Sequence, residues 1–83
     1  MRLDKYLKVS RIIKRRTVAN EAADGGRVML NGKPAKPSAQ VKPGDVIEIR
    51  FGEHTMKARI ENCDEKAQKA EAAMMYTVLE NGK

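Results

Sequence analysis

The sequence predicts an α+β fold in which two short basic helices pack on a small antiparallel sheet of about four strands. Apolar residues recur at helical spacing before Gly26 and alternate at strand spacing after it. The Asn31-Gly32 pair is the strongest two-residue signal for a β-hairpin. A length of 83 residues suits one small domain, which we expect to end in a short C-terminal helix or tail.

The first helix is predicted over residues 2 to about 10, because Leu3, Tyr6 and Leu7 stand at i, i+3 and i+4. Three cations at three-residue steps share another stripe of this helix: Arg2, Lys5 and Lys8. We expect Asp4 to pair with Lys8 one turn later and to hold a nearby arginine in place.

A second short helix is predicted after the connecting residues 11–16, in which Ile12 and Ile13 require burial. Thr17 is the expected N-cap, since its hydroxyl can accept from a free backbone N–H. Gly25-Gly26 supplies the left-handed conformation that ends the helix. Three alanines predict a small, close-packing face: Ala19, Ala22 and Ala23.

The alternating segments predict strands on either side of two turns. A first strand at residues 28–30 leads into the Asn31-Gly32 turn, and prolines make the return segment irregular or an edge. A second turn at residues 42–45 precedes a strand whose core face is predicted to be Ile47, Ile49 and Phe51. The core face of the next strand is predicted to be Met56, Ala58 and Ile60.

The chain is predicted to divide into one domain with a sheet extension over residues 1–62 and a short C-terminal helix or tail over residues 63–83. Residues 64–71 favour a helix, and the last three residues are expected to be frayed. Four apolar side chains of the tail are expected to pack onto the domain: Met74, Met75, Val78 and Leu79.

The net charge of +6 is concentrated at the amino-terminal end. Residues 1–50 hold 12 Lys+Arg and 5 Asp+Glu, whereas residues 51–83 hold 5 and 6. Such a cluster attracts polyanions, although a solvated, solubilising face is the alternative explanation. The cations of the first 16 residues are Arg2, Lys5, Lys8, Arg11, Lys14, Arg15 and Arg16.

Composition argues against several other functions. Cys63 is the only cysteine and His54 the only histidine, so neither a disulfide nor a zinc site is expected, and no other cofactor is indicated. No apolar run approaches the roughly 20 residues that span a bilayer. The first ten residues lack the apolar core of a signal peptide, and no nucleophile–base pair is evident. We therefore expect a reduced, soluble, cytoplasmic protein without membrane contact or enzymatic activity.

The succession of elements resembles a known RNA-binding family. Residues 26–49, GRVMLNGKPAKPSAQVKPGDVIEI, follow two basic helices and resemble the alpha-L RNA-binding motif, the domain named after small-subunit ribosomal protein four. This resemblance covers residues 2 to about 50 and implies the same fold and an RNA-binding role.

A narrower resemblance joins both ends of the chain to the RqcP family of ribosome-associated quality-control factors of Gram-positive bacteria. It rests on residues 1–17, MRLDKYLKVSRIIKRRT, and on residues 71–76, EAAMMY. It implies binding to ribosomal RNA and peptidyl-tRNA on stalled large ribosomal subunits, where such factors support RqcH-driven alanine tailing of the nascent chain. We expect this protein to act there as a monomer.

Three other functions are compatible with the same residues. A related family of heat-shock factors recycles large subunits that carry nascent-chain tRNA, and the lack of its long basic extension disfavours that alternative. The motif also occurs as the RNA-targeting module of RNA-modifying enzymes, although the start at Met1 and the finished tail argue against a fragment. A nucleic-acid chaperone that acts through charge alone is the third.

The expected RNA-binding residues are the seven amino-terminal cations, with Thr17 at the start of the second helix. Arg2 and Arg16 lead, because the family places an arginine at each matching position. Lys33 and Lys36 are expected peripheral contacts, and Asp4 is expected to organise the site. Because Tyr6 and Phe51 are predicted to face the core, we expect recognition of RNA shape and phosphates rather than base stacking.

Overall fold

A computed structural model describes residues 1–82 as an α+β fold, which confirms the predicted class. Five antiparallel strands form one sheet in the order β2-β1-β3-β4-β5, one strand more than predicted. No helix within these residues is long and apolar enough to cross a membrane. The elements are α1 (Leu3–Val9), α2 (Arg16–Asp24), β1 (Val28–Leu30), β2 (Lys33–Pro34), β3 (Val46–Phe51), β4 (His54–Ile60), α3 (Lys69–Ala72) and β5 (Tyr76–Gly82).

The core lies between the two longer helices and one face of the sheet. The apolar stripe of α1 is fully buried, and the small alanine face predicted for α2 is buried as well. Side chains alternate along a strand, so the buried positions Ile47 and Ile49 leave Glu48 on the opposite sheet face, where it lies opposite Lys57 in the register of β3 and β4. That opposite face points away from α1 and α2.

The second helix begins two residues earlier than predicted and ends as predicted. Arg15, not Thr17, occupies the N-cap position, and it forms no side-chain capping hydrogen bond. At the other end, the Arg27 N–H donates to the Ala22 carbonyl at 2.9 Å and the Gly26 N–H to the Ala23 carbonyl at 3.1 Å. This pair of bonds, with Gly26 at φ +78°, is a Schellman motif.

The predicted Asn31-Gly32 hairpin is present, with both residues at positive φ (52° and 83°) as a type I′ turn requires. The Asn31 side chain also ties this turn to the predicted turn at residues 42–45. Its Oδ1 accepts from the Val46 N–H at 2.9 Å, and its Nδ2 donates to Asp45 at 3.1 Å. The buried Asp45 carboxylate accepts from the Lys42 N–H at 3.0 Å.

The tail differs from the prediction in two ways. Its helix is confined to Lys69–Ala72, because Asp64 forms a local turn in which its side chain accepts from the Lys66 N–H at 2.9 Å. Its end forms β5, so that Asn81 and Gly82, expected to be frayed, pair with Met56 and Thr55; Lys83 lies outside the described residues.

The apolar residues of the tail are divided between core and surface. Met75 is fully buried, as predicted, whereas the prediction was wrong for Met74, which is 72% exposed. Val78 and Leu79 are also about half exposed on β5, because this strand lies at the sheet edge and the helices do not cover it.

Candidate nucleic-acid interface

A buried carboxylate organises the cations at the start of the two helices. The Asp4 side chain is only 3% exposed and accepts from Arg2 Nε at 3.2 Å and from Arg16 Nη2 at 3.4 Å, both at Oδ1. Arg2 Nη2 and Asn20 Nδ2 donate to Oδ2 at 3.3 and 3.2 Å. Both arginine side chains remain 47% exposed, so Asp4 fixes them while their outer faces stay open to solvent.

The backbone explains why these side chains meet. The free N–H groups at the start of α1 donate to the loop after β2, Leu3 to the Ala39 carbonyl at 2.8 Å and Asp4 to the Pro37 carbonyl at 3.1 Å. In α2, Arg16 and Asn20 are four residues apart and therefore project from one face toward Asp4. The loop and the two helices thus hold the cluster from three sides.

Opposing influences act on the protonation of Asp4. Burial by itself raises the pKa of this carboxyl, but hydrogen bonds from Asn20, Arg16 and Arg2 and the charge of Arg16 outweigh it. The pKa of Asp4 is therefore below its usual range. The carboxylate is ionised at neutral pH and can hold both guanidinium groups.

Asp4 does not use the partner that the helical spacing suggested. Its carboxylate pairs with Arg2 and Arg16, so the expected pair with Lys8 is wrong. The organising role of Asp4 in RNA binding stays a prediction. The spacing rule treats α1 as an isolated helix, whereas α2 brings a planar guanidinium that suits a carboxylate better than a flexible ammonium does.

The connection between α1 and α2 adds further exposed cations. Arg11 adopts a left-handed backbone conformation (φ 62°), and its N–H donates to the Lys8 carbonyl at 3.0 Å to close α1. For a residue with a side chain this conformation costs roughly 1–2 kcal/mol. Lys8, Arg11 and Lys14 line one shallow groove, and Arg15 is exposed just before α2. We call Arg2, Lys8, Arg11, Lys14, Arg15 and Arg16 the basic face.

Lys5 was expected to belong to this set, but the structure pairs it with an acid. Its Nζ lies 2.6 Å from Oε1 of Glu65, in the loop after β4. The hydrogen bond and charge of Lys5 lower the pKa of Glu65, which also borders the groove lined by Lys8 and Arg11. The ammonium of Lys5 is thus partly neutralised within the chain, and RNA would compete with Glu65 for it.

The other expected contacts lie around this centre. Thr17 is exposed in the first turn of α2. Lys36 lies beside the cluster, because it precedes Pro37, whose carbonyl accepts from the backbone N–H of Asp4. Lys33 lies on the edge strand β2. Sequence reasoning missed Asn20 as a site residue, although its position four residues after Arg16 was an available signal.

The comparisons with known proteins agree with this architecture. The S4 domain family matches residues 1–47, which include both helices and the Asn31-Gly32 hairpin. The chain therefore belongs to the S4 domain family. The basic face and the Asp4 cluster fall entirely within the matched residues.

Relatives with known names place the chain in a narrower family within the S4 domain proteins. A protein of Listeria innocua is 58% identical over 79 residues, which cover 95% of this chain and 86% of the relative. A protein of Bacillus subtilis is 52% identical over 83 residues, covering 100% of this chain and 96% of the relative. Both are named RQC P-site tRNA stabilizing factor, and the chain is a member of their family.

A solved structure is similar over nearly the whole chain. The trimeric heat shock protein 15 of Vibrio cholerae superposes with a TM-score of 0.85 at 35% identity, covering 94% of this chain and 80% of that protein. The likeness extends beyond residues 1–47 and so includes strands at the carboxyl-terminal side of the sheet.

Proposed function

We propose that this protein is a non-catalytic, cytoplasmic RNA-binding factor of ribosome-associated quality control. It binds ribosomal RNA and peptidyl-tRNA on stalled large ribosomal subunits and supports RqcH-driven alanine tailing of the nascent chain. The names of the Listeria and Bacillus relatives support this role. The observation that carries the proposal is the pair of half-exposed arginines held by one buried carboxylate.

The arginine pair is suited to phosphate because it is ordered before RNA arrives. Each guanidinium has five N–H donors, and Asp4 engages two of Arg2 and one of Arg16. The remaining donors point from fixed positions, so less side-chain entropy is lost when they bind phosphate oxygens. The neighbouring cations of the basic face then add attraction that depends on salt but not on sequence.

The proposed action is positional. A face built from two helix starts and the connection between them can contact two RNA strands at once, and holding a tRNA against ribosomal RNA would stabilise a geometry that the elongation partner uses. We expect a monomer to suffice for this. The trimeric state of the Vibrio relative makes the mass of the free protein in solution a necessary measurement.

Purification of the tagged protein from cells tests the proposal. We expect large subunits with nascent-chain tRNA, together with RqcH, to copurify with the wild-type protein. Arg16→Ala should release the protein from large subunits in gradient sedimentation. Lys57→Ala, on the sheet face away from α1 and α2, is the matched control and should migrate with the subunits. Unchanged comigration of Arg16→Ala would contradict the proposed face.

The likeness to heat shock protein 15 favours a second candidate, a factor that recycles free large subunits carrying nascent-chain tRNA. The two functions differ in the step that comes after binding. Deleting the gene abolishes alanine tails on stalled chains if the first function is correct. Under the second function the tails persist, and large subunits with nascent-chain tRNA accumulate.

A further inference from the structure

A partly apolar groove opens at the end of β3, beside the basic face. Its floor is the buried Ile49, and its rim exposes two large apolar side chains, Val18 (47%) and Phe51 (43%). Phe51 was predicted to be a core residue. It does face the same side as Ile49, but the strand extends past the helices at that point and leaves the ring half uncovered. We call this feature the Phe51 groove; its other lining residues include Ile12, Arg27 and Arg50.

The surroundings of the groove are positively charged. Arg27 and Arg50 are exposed and line both this groove and a pocket beside Glu48 on the opposite sheet face, so they lie at the edge that separates the two. The Arg50 N–H donates to the Arg27 carbonyl at 2.9 Å, which keeps their backbones together. Among residues 1–82 neither guanidinium forms an ion pair with a carboxylate. An exposed aromatic ring next to unpaired guanidinium groups suits a ligand that combines a flat apolar ring with a negative charge.

The groove is continuous with the basic face. Ile12 and Ile13, which contribute to its lining, belong to the connection that carries Arg11 and Lys14. Val18 lies in the first turn of α2, shortly after the exposed N-cap residue Arg15 and the exposed Arg16. An RNA strand whose phosphates lie on the basic face can therefore reach the mouth of the groove.

We propose that the Phe51 groove binds one unpaired base of the RNA held by the basic face, with the base stacked on Phe51 and an adjacent phosphate bound by Arg50. This inference rests on the proposed RNA-binding function and adds a base-binding site to it. A nucleotide offers both features that the groove requires, a π-face and a phosphate. An apolar segment of a protein partner satisfies only the apolar rim and leaves the guanidinium groups without anions.

Affinity for protein-free RNA extracted from large ribosomal subunits tests the base site. Phe51→Leu keeps an apolar side chain but removes the π-face, and we expect it to weaken binding about tenfold. The slope of log affinity against log salt should stay unchanged, because stacking releases no counterions. Phe51→Trp should bind at least as tightly as the wild type. Arg50→Gln should weaken binding and reduce the magnitude of the slope by roughly 0.7–0.9.

Two controls separate the possible outcomes. Leu79→Ala removes an equally exposed apolar side chain (45%) from β5 and should bind RNA like the wild type. Arg16→Ala, measured in parallel, tests the proposed function itself. If Arg16→Ala loses binding while Phe51→Leu does not, the base site is wrong and the RNA-binding function stands. If neither variant loses binding, both proposals fail.

A protein occupant would give a different result. Phe51→Leu would then bind free RNA normally and lose affinity only for intact subunits, which would overturn the base site. Because Phe51 is half exposed, none of its substitutions is expected to unfold the protein, and thermal melting by circular dichroism checks this for each variant.

Discussion

Arg2 and Arg16 donate to the same oxygen atom, Oδ1 of Asp4, at 3.2 and 3.4 Å. One residue precedes α1 and the other begins α2, so this shared oxygen joins the starts of the two helices. The interaction explains how a small domain with a strongly basic sequence holds two like charges close together. The buried carboxylate offsets their repulsion and fixes their direction.

Removing the carboxylate should weaken RNA binding even though it makes the protein more positive. Asp4→Asn takes the ionic partner from both arginines and leaves them without fixed positions, so we expect affinity for large subunits to fall several-fold. Stability should fall by roughly 1–3 kcal/mol, because a buried hydrogen-bonded charge network is broken. Gradient sedimentation and thermal melting measure the two effects.

Glu71→Gln is the matched control for that variant, since it makes the same change in net charge at an exposed site in α3. Attraction by charge alone predicts that both variants bind RNA slightly more tightly than the wild type. Tighter binding of Asp4→Asn would therefore contradict the organising role of Asp4.

The lowered pKa of Asp4 predicts a loss of stability in acid. In the unfolded chain the Asp4 carboxyl has an ordinary pKa of about 3.9. As the pH falls, the unfolded chain therefore binds a proton at Asp4 before the folded protein does. The stabilisation is complete above that value and is lost as the pH falls through the lower pKa of the folded state. Melting temperatures between about pH 2 and 6 should show this dependence.

Asp4→Asn should flatten the acid dependence only in part. The exposed carboxyls Glu61 and Glu65 also have lowered pKa values, caused chiefly by hydrogen bonds from Thr77 and Lys5 respectively, and they remain in the variant. Parallel curves for the wild type and Asp4→Asn would show that Asp4 has an ordinary pKa in the folded protein.

The buried hydroxyl of Tyr6 links α1 to the carboxyl-terminal part of the chain. It donates to the Met75 carbonyl at 2.8 Å, and that carbonyl also accepts from the Glu61 N–H at 2.7 Å. Tyr6→Phe removes one bond without leaving the carbonyl unpaired, so we expect a loss of about 1 kcal/mol in unfolding free energy. Denaturant unfolding measures it, and RNA affinity should not change. A loss of RNA affinity at full stability would contradict this purely structural role.

Two substitutions of Arg11, which has a left-handed backbone conformation, separate an effect on folding stability from an effect on RNA binding. Arg11→Gly relieves the backbone strain, whereas Arg11→Ala retains it, so the glycine variant should be the more stable by roughly 0.5–1 kcal/mol. Both variants lose the same charge and should weaken RNA binding equally. Equal stability of the two variants, or wild-type binding by either, would contradict this interpretation of Arg11.

Local patterns predicted most of the fold. The spacing of Leu3, Tyr6 and Leu7 gives α1, and the Asn31-Gly32 pair gives the hairpin, because each signal depends on neighbouring residues alone. The position of Phe51 and the formation of β5 were not predictable in the same way. Both depend on where the helices stop covering the sheet and on long-range strand pairing.

The candidate site was predictable as a set of residues but not as a set of partners. The cluster of cations and the role of Asp4 follow from the sequence and its family resemblance. Lys5 pairs with Glu65 and Arg16 with Asp4 only after the chain has folded, since these partners lie far apart along it. The amide of Asn20 was missed because Asp4 lies 16 residues away along the chain, although its position four residues after Arg16 was an available signal.

The salt dependence of binding to large ribosomal subunits tests most directly whether Arg2 and Arg16 act together on RNA phosphate. The double variant Arg2→Gln/Arg16→Gln is compared with Lys57→Gln/Lys69→Gln, which removes two cations outside the basic face. We predict that the first variant binds more weakly and that the slope of log affinity against log salt falls in magnitude by roughly 1.4–1.8, while the second matches the wild type. Equal affinities and slopes for the two double variants would contradict a phosphate-binding face at this position.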